Sequence, residues 1–432
     1  MKAHQRKFSF ALMILLSCFQ VKYGLVPGWE KIQDDFPNYY VSAKLLSEHQ
    51  DLSVLYHNES FNEKVKSYGL QPTGQFALYA PPNALILLPL SGLTPIIAKR
   101  VWLLFNVLLI FVCGFLIRKI TRWNWVTSLN TLLISGFALA NDLFLGQVYL
   151  FITSFMLMGI LFYRAERNYI SGSFLGMALA FKYISIVFVP SLFLLRKWKA
   201  LLGIISGVLL LYLICFPFFG IELISYFFNH VFFSHLNGQL YEGRPYAIQY
   251  QSWDSLLNNL FVYNQNQNPH PFIHSTTIFY TLKYFILASV LLVLAWFFHQ
   301  TYRRRNFFDI TASLTLISLL IFEPGSATYH NLFLLLPFIL ILRLMLSVKS
   351  RLVFSYVALF FLIGFLPTWL NRYTLLNGNS GSHSDLVFIF SYHRLWLEMI
   401  FYLYSIYFLY HFVRDEHFQK LNNDQHKADE SF

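Results

Sequence analysis

Apolar runs about as long as a bilayer is thick dominate this chain, and short basic clusters separate them. A membrane-spanning helix needs ~20 predominantly apolar residues. Runs of that kind occupy 8–26, 99–117, 125–142, 145–163, 200–219, 276–298, 307–323, 331–347, 352–371 and 389–412. Composition agrees with such a class. Hydrophobic residues make up 56% of the chain and charged residues 12%, against about 25% charged in soluble domains. The 47 Phe and 27 Tyr suit membrane interfaces. An all-α polytopic membrane protein is expected.

The basic clusters orient the helices. They read "RKITR" (118–122), "RAER" (164–167), "RKWK" (196–199), "RRR" (303–305) and "KSR" (349–351). Positively charged short loops stay in the cytoplasm, together with Lys2, Arg6 and Lys7 at the N-terminus. The opening "MKAHQRKFSFALMILLSCF" has the basic start and apolar core of a signal peptide, but no small-residue cleavage site follows. An uncleaved first membrane helix is expected. The net charge of +11 therefore concerns helix orientation and anionic lipid headgroups. Nucleic acid is not an expected partner, because no basic domain stands outside the apolar runs. Cys18, Cys113 and Cys215 lie in apolar stretches without metal-ligand spacing, so neither a metal site nor a structural disulfide is expected from them.

Between "RAER" and "RKWK" the chain has to cross an even number of times in ~30 residues. Stretch 170–190 fits a short helical pair with Lys182 near its turn. Stretch 81–94, "PPNALILLPLSGLT", is too short for an ordinary span; either it dips in from outside, or it spans and "RKITR" breaks the charge rule. About twelve crossings are expected, in one domain over 1–412, with 413–432 as a solvated cytoplasmic tail. Two large loops, 27–80 and 220–275, then face outward with the smaller turns that carry "NDLFLGQ" (141–147), Lys182, "EPGSATYHN" (323–331) and "NRYTLLNGNSGSHSD" (371–385). The distinctive polar residues gather on the outer side, and chemistry is expected there.

In the first loop, "KIQDDFPNYYVSAKLL" (31–46) sets two adjacent carboxylates, Asp34 and Asp35, where the chain leaves the bilayer. One reading is helix capping: Pro37 falls in the first turn of a segment whose apolar periodicity through Tyr40, Ala43 and Leu46 suits an amphipathic helix lying on the membrane. The other is a general base, its pKa raised by the neighbouring carboxylate and by partial desolvation. A phosphate leaving group would need no general acid, only cations. Lys182 is one candidate, a costly charge in an apolar setting that could instead snorkel to the interface. Arg244 in "YEGRPY" is a second, with an ordinary loop charge as the alternative. His330 at the outer end of a run is a third, with a satisfied polar histidine as the alternative. Glu323 on the same turn caps or pairs with a cation.

Together these segments resemble glycosyltransferase family 87, membrane enzymes of the GT-C class. "DDFPNYYVSAKLL" resembles the family's first outer loop, "FALYAPPNALILLPLSGL" its Tyr-x-Pro-Pro segment, and "NDLFLGQVYLFITS" its Gly-Gln motif. "GSFLGMALAFKYISIVFVP" resembles its helix ending in Lys, and "SATYHNLFLLLP" its late histidine turn. The resemblance covers about residues 10–345. It implies a GT-C-type helical bundle, an acidic base aligned to Asp35 with Asp34 beside it, and substrate binding by Lys182, Arg244, His330, Gln147, Tyr40 and Tyr79. It implies a polyprenyl monophosphate sugar as donor, a glycan or glycolipid as acceptor, transfer with inversion, and a place in the plasma membrane with the site on the outer face. No cofactor is expected, with a divalent metal left open. Two departures stand out: "FKYISI" lacks the proline expected soon after Lys182, and Tyr149 stands where Asn is common. A transporter or flippase of lipid-linked sugars would use the same groove and cations without a base, and an inactive structural subunit would need Asp34 and Asp35 only as caps.

Overall fold

The computed structural model describes residues 3–32, 35–72, 76, 79–236, 246–302, 304–366 and 386–414. Among them the secondary structure is helical, apart from one isolated bridge between Asn264 and Asn268. The main helices, in chain order, are α1 (Ala3–Gln20), α2 (Phe36–Ser47), α3 (Asn58–Ser67), α4 (Pro95–Thr121), α5 (Trp125–Leu133), α6 (Phe137–Leu145), α7 (Tyr149–Arg164), α8 (Asn168–Phe181), α9 (Phe188–Leu194), α10 (Trp198–Tyr226), α11 (Trp253–Phe261), α12 (Thr276–Thr301), α13 (Phe307–Phe322), α14 (Leu335–Ser347), α15 (Val353–Phe365) and α16 (His393–Arg414).

Among the described residues, five helices are long and apolar enough to cross a membrane: His4–Glu30, Pro95–Thr121, Trp198–Phe232, Thr276–Thr301 and Thr328–Ser347. A bent pair, α5 with α6, would make a sixth. The remaining apolar runs form shorter or more polar helices, so helix length alone accounts for half of the expected crossings. Stretch 81–94 does not span. It holds helical pieces of four and three residues, Asn83–Ile86 and Leu88–Leu90, and Asn83 ties it inward by donating to the carbonyl of Phe181 (2.9 Å). One expected loop boundary moves: the first helix runs on to Glu30. The helix that begins at Trp198 breaks at Gly220 (φ 60°, ψ 172°), where the loop is expected to begin, and further helix follows the kink as far as Phe232.

The break between α5 and α6 bends the pair by 73°. Gly136 turns it with a φ of +56°, a conformation open to a residue without Cβ. A break at this depth leaves carbonyls without helical partners, which an apolar environment penalises. The buried amide of Gln20 on α1 donates to the carbonyls of Leu133 (3.3 Å) and Gly136 (3.1 Å). A second device fixes α8 on α10. Gly172 and Gly176 face Gly203 and Gly207, and a Cβ at Gly176 would stand 2.2 Å from the carbonyl oxygen of Ile204. The two backbones therefore touch, as small-residue pairs four apart allow in membranes.

The bundle has two unlike ends. At one, Arg164 closing α7 and Arg343 in α14 both reach Oδ2 of Asp309 in the first turn of α13 (2.8 and 3.5 Å). At the other stand the start of α7, the end of α8, the end of α13, the turn before α14 and the start of α16. The helix α2 lies at this second end. It is not the surface amphipath expected: Phe36, Tyr39, Tyr40, Val41, Ala43, Leu45 and Leu46 are all buried, so both of its faces pack against protein.

Candidate active site

Four chain breaks meet at the second end, and each presents a polar side chain. The first is the start of α2. Asp35 occupies the cap position, yet its side chain makes no capping hydrogen bond to the helix. The capping alternative therefore does not describe this residue. Its carboxylate instead lies where its charge acts on Lys182, Tyr79, Tyr39 and Tyr329. Asp34 lies outside the described residues, as does Arg244.

The second break ends α8. Lys182 leaves the helix with φ −142° and ψ 122°, and a 3-10 turn, Tyr183–Val187, follows at once. The helix thus stops without the proline expected there. One extended residue between two helical segments swings Lys182 sideways into the cluster rather than toward the interface. Its Nζ stands 4.3 Å from the ring centre of Tyr79 and 5.3 Å from that of Tyr149. Aromatic faces attract cations most strongly where water is scarce. Burial pulls the ammonium down to about 8, against the opposing charges of Glu323 and Asp35.

The third break is the turn from α6 to α7. Asp142, fully buried, accepts the backbone N–H of Tyr149 through Oδ1 (2.9 Å) and so caps α7 from within the preceding helix. Lys99, also fully buried, donates to the carbonyl of Phe144 (2.8 Å) and stands over the ring of Phe36. Gly146 is required here. It adopts φ +72°, and a Cβ would come within 2.5 Å of Lys99 Nζ. This turn delivers Gln147, whose carbonyl accepts from Trp102 Nε1 (3.3 Å) and whose Oε1 accepts from the Tyr39 hydroxyl (2.7 Å). The remaining Gln147 donor, Nε2, is buried and makes no hydrogen bond.

The fourth is the turn between α13 and α14. His330 Nε2 hydrogen-bonds the Tyr149 hydroxyl, the two rings stack at 4.6 Å, and His330 Nδ1 stands 3.0 Å from Glu323 Oε2. Glu323 thus pairs with His330 across its turn. Arg394, near the start of α16, holds the turn from behind by donating to Thr328 Oγ1 and the Ser326 carbonyl (both 2.6 Å). Glu398 one turn on accepts from Asn331 (2.8 Å).

Asp35, Lys182, His330, Gln147 and Tyr79 therefore converge. Tyr40 does not: its hydroxyl donates to the Leu93 carbonyl (2.6 Å). Its neighbour Tyr39, about 100° away around the helix, enters the cluster instead. Tyr39, Tyr149, Asp142, Lys99, Arg394 and Glu398 were not singled out as site residues from sequence. A lone charge inside an apolar run, as at Lys99 and Asp142, was the signal available. Among the described residues, no group of three or more His, Cys, Asp or Glu side chains is spaced to hold a metal ion.

A family model described as glycosyltransferase family 87 matches residues 77–324. That stretch carries Tyr79, Gln147, Tyr149, Lys182 and Glu323, with Asp35 and His330 to either side. No curated protein and no solved structure matches the chain.

Proposed function

The chain belongs to glycosyltransferase family 87, and on that premise we propose that this membrane glycosyltransferase moves a mannose-like hexose or a pentose from a polyprenyl monophosphate donor to a lipid or glycan acceptor. Asp35 accepts the proton of the acceptor hydroxyl as its oxygen attacks the anomeric carbon. The bond from that carbon to the phosphate oxygen breaks, and polyprenyl phosphate departs with the electron pair. Attack opposite the leaving group inverts the anomeric centre. The leaving phosphate is already a stable anion and needs no proton, in contrast to the alcohol leaving groups that demand a second carboxyl. Lys182 stabilises its charge, and His330, held between Tyr149 and Glu323, positions the Tyr149 ring beside that ammonium. Gln147 Nε2 supplies a neutral donor to the same substrate.

The observation that carries this reading is the meeting of Lys182 and the Asp35 charge among Tyr39, Tyr79 and Tyr149. A base and a cation share one tyrosine-lined place, which transfer from a phosphate donor requires. The basic clusters at the other end of the bundle lie in the cytoplasm with the N-terminus, and the site opens on the outer face of the plasma membrane. The purified enzyme should convert one member of a panel of polyprenyl-phosphate sugars into a mass-shifted lipid or glycan product. Absence of product with every donor, together with facilitated movement of a lipid-linked sugar across vesicles, would favour a flippase instead.

A further inference from the structure

At the end of the bundle remote from Lys182, the closing turns of α9 and α12 border a cavity of about 700 Å3, lined by Leu194, Phe298, His299, Gln300, Tyr302 and Arg304. That size lies within the ~300–1,000 Å3 of small-molecule sites. Its lining divides by chemistry. Leu194, Phe298 and the ring of Tyr302 are apolar; Leu194 and Tyr302 remain 36% and 39% exposed. Arg304, His299 and Gln300 are donors. Arg304 Nε donates to the Gln300 carbonyl (3.1 Å), which fixes the guanidinium over the last turn of α12.

Arg304 differs from the basic residues that are paired at this end of the bundle. Arg164 and Arg343 share the carboxylate of Asp309, and Lys197 takes Glu166 (2.9 Å). No carboxylate among the described residues pairs with Arg304. In the sequence, two of its lining residues adjoin basic clusters: Leu194 precedes 196–199, and Arg304 falls within 303–305. Two helices that reach this level bury little of their apolar length within the protein: 22% of the apolar window of Trp198–Phe232 and 11% of that of Thr276–Thr301. An apolar wall, an unpaired guanidinium and a position at the end of membrane helices describe a lipid with a negative headgroup. Basic recesses between membrane helices at headgroup depth bind such lipids.

We propose that this cavity binds an anionic glycerophospholipid, with an acyl chain along Leu194, Phe298 and Tyr302 and the phosphate on Arg304, assisted by His299 and Gln300. The site is distinct from the transfer site. Twelve residues separate Lys182 from Leu194, about 20 Å at helical rise, so a phosphate on Arg304 does not meet Lys182. The lipid contacts the ends of both α9 and α12.

Native mass spectrometry of the purified full chain tests this directly, with phosphatidylglycerol and phosphatidylcholine of identical acyl chains. The wild type should retain phosphatidylglycerol preferentially. Arg304→Gln should lower that retention roughly fivefold, the contribution of one basic side chain near an anionic surface, and leave phosphatidylcholine unchanged. Leu194→Trp fills the cavity and should lower phosphatidylglycerol retention with Arg304 intact. Size exclusion and lipid-free melting identify any variant that does not fold, and Tyr302→Ala replaces it. Equal retention of the two lipids by the wild type, or wild-type retention by either variant, overturns the proposal. So does displacement of phosphatidylglycerol by equimolar polyprenyl monophosphate, which would assign the cavity to the donor. None of these readings depends on sugar transfer.

Discussion

The ammonium of Lys182 stands 4.3 Å from the ring centre of Tyr79, and this contact, beside the hydrogen bond from Asn83 to the Phe181 carbonyl, joins the end of α8 to the segment around Tyr79. It holds a cation in a place with little water and leaves the charge facing aromatic surfaces rather than a tight ion pair. An arriving phosphate can therefore take the ammonium without first separating it from a carboxylate partner.

Lys182→Ala should leave the protein folded and in the membrane while transfer falls. Loss of a charge-assisted contact to a departing phosphate removes ~2–4 kcal/mol of transition-state stabilisation, roughly 30- to 1,000-fold in rate. Initial rates in detergent, with a matched melting curve, check this. Parent activity would reduce Lys182 to a structural anchor.

The same residue sets an upper pH limit. Burial lowers its pKa to about 8, so the cation is present below that value and is lost as pH rises through it. Transfer should decline above pH ~8, and Lys182→Arg, whose guanidinium stays protonated, should move the decline upward wherever it retains activity. A flat rate from pH 7 to 10 in the wild type contradicts the assignment.

Asp35→Asn separates a structural role at the start of α2 from catalysis. Asparagine nearly matches aspartate in size and shape but cannot take a proton. Folding and donor binding should persist while transfer drops ~100- to 10,000-fold. A fully active, correctly inserted Asp35→Asn enzyme would remove Asp35 from the mechanism. A dead Asp34→Asn beside it would move the role one residue back.

Arg394→Gln should destabilise the protein rather than act on chemistry alone. Arg394 is buried, hydrogen-bonded to Thr328 and Ser326 and 3.5 Å from the fully buried Glu398. Removing one partner of such a pair typically costs ~3–5 kcal/mol, because the other charge stays buried without compensation. Thermal melting should show a large drop, and Glu398→Gln in the same background should restore part of it.

Gly176→Val should separate α8 from α10, since its Cβ would meet the Ile204 carbonyl oxygen at 2.2 Å. Lys182 rides on the end of α8, so activity and melting temperature should fall together. Gly92→Ala, where no neighbour lies within 4 Å, should change neither.

Much of this was written in local pattern. Apolar runs of bilayer length announce membrane helices because lipid leaves the backbone no other partners, and α4, α12 and the helix into α14 fall within a few residues of their runs. Asp35, Lys182 and His330 stood out as polar residues on the outer side, and Gln147 and Tyr79 through segments that resemble the family's motifs. What the tertiary structure decided is which polar groups meet and what each is used for. Tyr39 rather than Tyr40 enters the cluster because α2 is buried on both faces, and apolar periodicity cannot tell which neighbour faces the site once polar and apolar faces no longer differ. Glu323 is committed to His330, and Lys99 and Arg394 hold the turns that carry Gln147 and His330, through contacts 45 and 66 to 68 residues apart in the chain. The break at Gly136 is stable because Gln20, 116 positions away, reaches its carbonyl. Each of these depends on burial and on long-range hydrogen bonding, and neither exists until the helices pack.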